Sequence, residues 1–160
     1  MTMPDQRFDL SLYRHKTEVR VRNYEVDWQG IVHNAVYLLY FELGRVDYLK
    51  KMGARLDLNS VRGENKVVLV RNEINYLKPV RFDELLHVHT RISRIKNTSF
   101  WMEGVLESVS GKSIVATNVA YHVWLDPSTD QPKVVGDEFR KQVQAFEGPH
   151  CQIEWPQVDV

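Results

Sequence analysis

From Ile31 to Met52 the chain carries apolar residues at Ile31, Val32, Ala35, Val36, Leu38, Leu39, Phe41, Leu43, Val46, Leu49 and Met52. That spacing predicts a helix, closed by Gly53 as its C-cap. Its first three turns are apolar nearly all round, and only Asp47, Lys50 and Lys51 make the last turns amphipathic. A helix of this kind lies centrally, with protein on most sides, so the rest of the chain must supply a surface to cover it. Just before it stands one carboxylate, Asp27. A helix start offers unpaired N–H groups and the positive end of a dipole, where a polar reactant can be held beside a fixed acid or base.

The covering surface reads as strands. Thr17 to Arg22 alternates strictly, with Val19 and Val21 inward, and Lys66–Leu77, Leu85–Ile95, Phe100–Val109 and Lys112–Leu125 form a succession of long strand candidates. Ser110-Gly111 predicts a two-residue hairpin turn. One strand, one long helix and four strands in hairpin-like succession imply an α+β fold, an antiparallel sheet packed on a single helix. Arg55 to Asn65 reads as a polar connection and Asp126 to Lys133 as a loop; Asp137 to Phe146 reads as a short amphipathic helix, followed from Gly148 by a loosely held end. The 160 residues fit one domain, 1–160, with a core over about 17–125 and a C-terminal extension over 126–160.

Composition narrows the partners. The 21 basic and 21 acidic residues cancel, which removes the overall electrostatic case for nucleic acid or an anionic membrane. A single cysteine, Cys151, excludes an internal disulfide framework and suits a reducing cytosol; its polar surroundings make it incidental. With neither a signal-peptide pattern at the N-terminus nor a run approaching ~20 apolar residues, the expectation is a cytoplasmic protein without a membrane span.

The stretch D-W-Q-G-I-V-H-N-A-V-Y-L-L-Y-F-E-L-G-R from Asp27 to Arg45, with E-I-N-Y-L-K-P-V-R-F-D from Glu73 to Asp83, resembles the 4-hydroxybenzoyl-CoA thioesterase-like acyl-CoA thioesterases. The resemblance covers roughly Glu18 to Leu125. It implies the hotdog fold, a long antiparallel sheet wrapped around one central helix, and hydrolysis of an acyl-CoA without metal or organic cofactor. It implies Asp27 as the catalytic carboxylate and the Asn34 backbone N–H as the group that polarises the thioester carbonyl. Gly30, Ile31, His33 and Tyr37 then belong to the substrate site, and the expected assembly is a homodimer or homotetramer. The chain departs from many relatives at His33-Asn34, where a Tyr-His pair is common, and at Ile31, where other branches carry His.

Read from the residues alone, Asp27 has a plainer role as a helix N-cap, which Asp favours. As a catalyst it acts either as general base or as nucleophile, and both stay open. The phosphates of CoA call for cations, and Arg91, Arg94 and Lys96 with Thr98 and Ser99 at a strand end form a plausible set. Glu42 and Arg45 are spaced for an ion pair on one helix face. Trp101, Tyr121 and Trp124 read as core or interface. His87 and His89 share one face of a strand, a spacing some metal sites use, but no Cys, Asp or third His is placed by sequence beside them. Arg91 lies on the same face, so the expectation is a solvated or interfacial surface and no metal. Two other classes remain: a hotdog hydratase or dehydratase acting on an enoyl or hydroxyacyl thioester, and a non-catalytic acyl-CoA-binding regulator. The first lacks its pattern around Asp27 and His33, and the second lacks room before the first strand for a helix-turn-helix.

Overall fold

The structure, a computed structural model, describes residues 5–54 and 66–157; the expected connection from Arg55 to Asn65 lies outside the described residues. In chain order the elements are β1 (His15–Arg20), α1 (Asn34–Met52), β2 (Lys66–Tyr76), β3 (Leu85–Ile95), β4 (Ser99–Ser108), β5 (Ser113–Leu125), α2 (Asp137–Glu147) and β6 (Gln152–Ile153). The sheet runs β1-β3-β4-β5-β2, with β6 pairing parallel to the end of β3. The expected α+β arrangement of one long helix and an antiparallel sheet is present.

Only β3, β4 and β5 follow one another as neighbours. β2 pairs with β5 rather than β3, so the segment after β2 is a crossover and not a hairpin. Its backbone groups are claimed elsewhere: Leu77 and Lys78 N–H donate to the Val115 carbonyl, and the Val80 carbonyl accepts from Val32 N–H at 2.8 Å. The turn between β4 and β5 takes four residues instead of two, and its left-handed position is Lys112 (φ 47°) rather than Gly111. Gly53 caps α1 as the spacing predicts, with φ 94° and the Ala54 N–H returning to the Leu49 carbonyl.

The described residues form two compact units. One takes in the chain up to Tyr48 with Glu73–Arg91 and Glu103–Val119; the other takes in Leu49–Asn72, Ile92–Met102 and the chain from Ala120. The first holds a core of Val21, Val32, Tyr37, Tyr40, Phe41, Val80, Leu86, Val88, Leu106, Val115 and Ala116. Here α1 lies close on the strands because two glycines leave room. A Cβ on Gly44 would stand 2.6 Å from Val88 Cγ1 and 2.7 Å from Thr90 Oγ1, and one on Gly104 would stand 2.6 Å from the Phe41 ring. β1 is tied to the helix through Asp47, whose carboxylate accepts from Thr17 Oγ1 and meets His15 Nε2 at 2.7 Å. The expected Glu42–Arg45 pair does not form. Buried Arg45 donates to Asn118 Oδ1 at 3.2 Å, and Asn118 in turn donates to the Glu73 carbonyl at 2.8 Å, while exposed Glu42 acts on Arg45 only through its field.

The helix is buried on one face only. Tyr37, Tyr40, Phe41, Gly44, Arg45 and Tyr48 face inward, whereas Leu39, Leu43 and Val46 form an exposed apolar stripe. The all-round apolarity is real, but this chain covers only part of it.

In the second unit Phe100 stacks on His122 at 4.8 Å and meets Phe139, which also packs on Trp124. The C-terminal end is held rather than loose. Arg140, fully buried, donates to the carbonyls of Val135, Lys96, Asn97 and Glu154; Glu147 accepts from Ile92 N–H; and Cys151 is buried. A buried guanidinium with its N–H groups satisfied by carbonyls is a costly arrangement to break, so it fixes the segment that supplies them.

Gly44→Ala isolates the close approach of α1. Helix propensity favours Ala by ~1 kcal/mol, whereas overpacking costs ~1–3 kcal/mol. The neighbours that must move are β-branched and on a buried strand, so overpacking dominates. Urea unfolding should show a loss of about 1–2 kcal/mol with little change in m; unchanged or raised stability contradicts the close fit.

Candidate active site

Asp27 does not cap α1. Val26 and Val32 bridge across a tight loop in which Asp27 N–H donates to the Ile31 carbonyl at 2.8 Å and Gly30 N–H returns to the Asp27 carbonyl at 3.0 Å. Gly30 sits at φ 77°, a left-handed position that a glycine takes without strain. The Asp27 carboxylate is fastened by one oxygen. Oδ1 accepts from Gln29 N–H at 2.8 Å and from Ile31 N–H at 3.4 Å, and among the described residues Oδ2 accepts nothing. The helix begins at Asn34, later than its apolar pattern implies, because Ile31 and Val32 are spent on bridges to Arg81 and Val26.

The cap is His33. Its Nδ1 accepts from Ala35 N–H at 3.1 Å and its carbonyl from Val36 N–H at 2.9 Å. An Nδ1 that accepts puts the proton of the neutral ring on Nε2. The Asn34 N–H, first in the helix, donates to no described group and stands at the positive end of the helix dipole. Its carbonyl accepts from the Tyr76 hydroxyl at 2.9 Å. Tyr76 also packs edge-on against Tyr37 at 5.1 Å, and burial pushes the Tyr37 phenol above its ordinary pKa.

These residues line one cavity of about 490 Å³. Asp27, Ile31, Val32, His33, Asn34 and Tyr37 come from the loop and helix start, and Tyr76, Leu77, Lys78 and Pro79 from the end of β2 and the crossover. All lie in the first unit. Of the residues expected at the site, the fold brings Asp27, Ile31, His33, Asn34 and Tyr37 together. Gly30 shapes the loop without lining the cavity.

The expected phosphate-binding set is placed differently. Arg91 is buried, with its guanidinium on Glu103 at 2.6 Å and over the Tyr13 ring at 5.4 Å, so its charge is already matched inside the protein. Arg94, Lys96, Thr98 and Ser99 lie in the second unit around the β3–β4 turn. There Arg94 reaches Glu154 at 3.3 Å, Arg94 and Lys96 lie over Trp101, the Thr98 carbonyl accepts from Trp124 N–H, and the Ser99 carbonyl accepts from Lys96 N–H. Tyr76 to Pro79 were missing from the expected site. Their stretch reads as a strand end, and nothing local reveals that the crossover brings it to the helix start. The described residues able to hold a metal ion are not at the cavity; they are His87, His89 and Glu107.

The thioesterase superfamily model matches residues 29–115, more than half of the chain. The acyl-acyl carrier protein thioesterase ATL3 of Arabidopsis thaliana is 29% identical over 112 residues, which is 70% of this chain but only 58% of that protein's length. The long-chain acyl-CoA thioesterase FadM of Escherichia coli is 25% identical over 130 residues, 81% of this chain and 96% of FadM. Among solved structures, a thioesterase from Thermus thermophilus complexed with coenzyme A and Zn superposes with a TM-score of 0.73 at 26% identity, covering 85% of this chain and 96% of that one. The architecture is the hotdog fold that the motif resemblance implies.

The loop geometry yields a test that separates strain from crowding. A Cβ at Gly30 would meet nothing within 4 Å, so Gly30→Ala changes only the cost of φ 77°. That cost is ~1–2 kcal/mol, and Gly30→Asn, which tolerates the left-handed region better, should lose less in the same urea titration. Equal stability of all three proteins contradicts the turn.

Proposed function

The chain belongs to the thioesterase superfamily, and we propose that the cavity at the start of α1 hydrolyses an acyl-CoA thioester to a free carboxylic acid and CoA. One observation carries the reading: Asp27, whose Oδ2 accepts no hydrogen bond from a described residue, and Asn34, whose helix-start N–H donates to no described group, line the same cavity.

In the general-base form of the reaction, water adds to the thioester carbon and gives its proton to Asp27. The carbonyl oxygen becomes an oxyanion held by the Asn34 N–H. Collapse then breaks the C–S bond, and the thiolate leaves with the proton from Asp27. In the nucleophilic form Asp27 attacks directly and expels the thiolate, leaving a mixed anhydride; water then cleaves the anhydride, restoring the Asp27 carboxylate and releasing the acid, and supplies the proton that the thiolate takes up. Both need the same two groups. An oxyanion donor of this kind contributes ~3–4 kcal/mol, and because the donor is main chain its effect does not depend on the Asn34 side chain. His33 and Tyr37 bound the cavity, and the half-open space between Ile31, Leu77 and Pro79 suits an acyl chain.

The coenzyme A in the Thermus thermophilus neighbour and the acyl-CoA named as FadM's substrate support CoA as the carrier; the name of the Arabidopsis relative makes acyl carrier protein the alternative. Lys78 at the cavity supplies a cation of the kind that CoA phosphates require. The exposed stripe Leu39, Leu43 and Val46, with exposed Tyr76 and Leu77 in the same unit, supports a homodimer or a tetramer built from it, since a monomer leaves this apolar surface in water. β2 is a sheet edge, a second feature that a partner copy would cover. No described helix is long and apolar enough to cross a membrane, and the single cysteine suits a cytoplasmic setting.

Thiol release should be followed over short, long and aromatic acyl-CoAs and one 2-enoyl-CoA, with wild type, Asp27→Asn and Asp27→Ala. Both variants should fold and lose at least ~100-fold in kcat. Near-normal hydrolysis by Asp27→Ala, or loss of enoyl absorbance without thiol, overturns the assignment.

A further inference from the structure

On the outer face of β3, opposite the helix-facing Leu86 and Val88, two imidazoles and a carboxylate converge. His89 Nε2 lies 3.0 Å from Glu107 Oε1, and His87 Nδ1 lies 3.6 Å from the same oxygen. The three donor atoms are all within 4.8 Å of one another. A tetrahedral zinc ion with ligands at ~2.0–2.1 Å needs donors ~3.3 Å apart, and the 3.0 and 3.6 Å separations from Glu107 bracket that value. We propose that His87, His89 and Glu107 bind one divalent cation of the zinc class, with water in the remaining position.

A fourth residue favours this over a chance hydrogen-bonded group. Across β1, Glu18 pairs in register with His87 and places Oε1 3.4 Å from His87 Nε2, the ring nitrogen that faces away from Glu107. A carboxylate behind the far nitrogen of a ligating histidine fixes its tautomer and raises its basicity, the arrangement that supports zinc-bound imidazoles. His87 would then ligate through Nδ1, and His89 would give up its bond to Glu107 and ligate through Nε2.

The surrounding charges allow it. Arg91, on the same face, is neutralised by Glu103 and covered by Tyr13, so it does not compete for Glu107 or repel a cation as an isolated charge would. Lys16, the β1 partner of His89, is exposed to solvent, where its charge is screened. Imidazole donors select zinc, copper or nickel over magnesium and calcium. All these residues lie in the first unit, and the cavity at Asp27 contains none of them.

The test uses tag-free, chelator-treated full-length protein titrated with Zn²⁺ against a chromophoric competitor, with Mg²⁺ as a parallel arm and no acyl-CoA present. One zinc per chain at micromolar affinity or tighter, with no binding of Mg²⁺, is expected. His89→Ala should weaken zinc at least ~100-fold, and Glu18→Gln, which touches only the outer nitrogen of His87, about 10-fold. Glu107→Gln keeps the shape of the site and should also lose zinc, which covers the case of a poorly folded His89→Ala; thermal melts of each variant without metal identify that case. Absence of zinc binding at millimolar concentration, or zinc binding unchanged in Glu107→Gln and His87→Ala, overturns the proposal.

Discussion

The close contact of α1 with β3 and β4 is the constraint on which the first unit depends. Gly44 against Val88 and Thr90, and Gly104 against Phe41, bring helix and strand backbones nearer than any side chain at those positions would allow. Once the helix is seated there, Arg45 is drawn onto Asn118, Asp47 onto His15 and Thr17, and the helix start onto Tyr76 at the end of β2. Small errors in that seating would be felt at the cavity, because close-packed interiors transmit strain rather than absorb it.

At the helix start the roles of three neighbouring residues are separated by the backbone. His33 takes the capping work, which a reading of residue types assigns to Asp27. Asp27 is instead fixed in its own loop through one oxygen, and the other accepts no hydrogen bond from a described residue. The Asn34 amide, in the first turn of the helix, has no intrahelical acceptor and donates to no described group. Groups held in this way need little reorganisation when charge develops on a bound carbonyl, which is where electrostatic catalysis gains most.

Much of this was legible in the sequence. The helix, its Gly53 cap and the long strands follow from local periodicity, and the gathering of Asp27, Asn34 and Tyr37 at one cavity from the family resemblance of the motif. What failed depended on groups far apart in the chain. Ile31 and Val32 fit a helical pattern but bond to Arg81 and Val26, and β2 looks like half of a hairpin but pairs with β5. The polar C-terminal end looks loose until Arg140 is seen collecting carbonyls from three separate segments. Arg91 looks like a surface cation because its partner Glu103 is on another strand, and Glu107, also on that strand, meets His87 and His89 for the same reason. Tyr76 to Pro79 reach the cavity only through the crossover, which no local pattern encodes.

The most direct test of the division of labour between Asp27 and Asn34 is the structure of the protein bound to a non-hydrolysable acyl-CoA ketone analogue, with the distances from its carbonyl measured. The carbonyl oxygen should accept from the Asn34 N–H at about 2.7–3.1 Å, with Asp27 Oδ2 facing the carbonyl carbon directly or through one water. A carbonyl turned away from the helix start, or an analogue seated where Asp27 cannot reach it, would contradict the assignment.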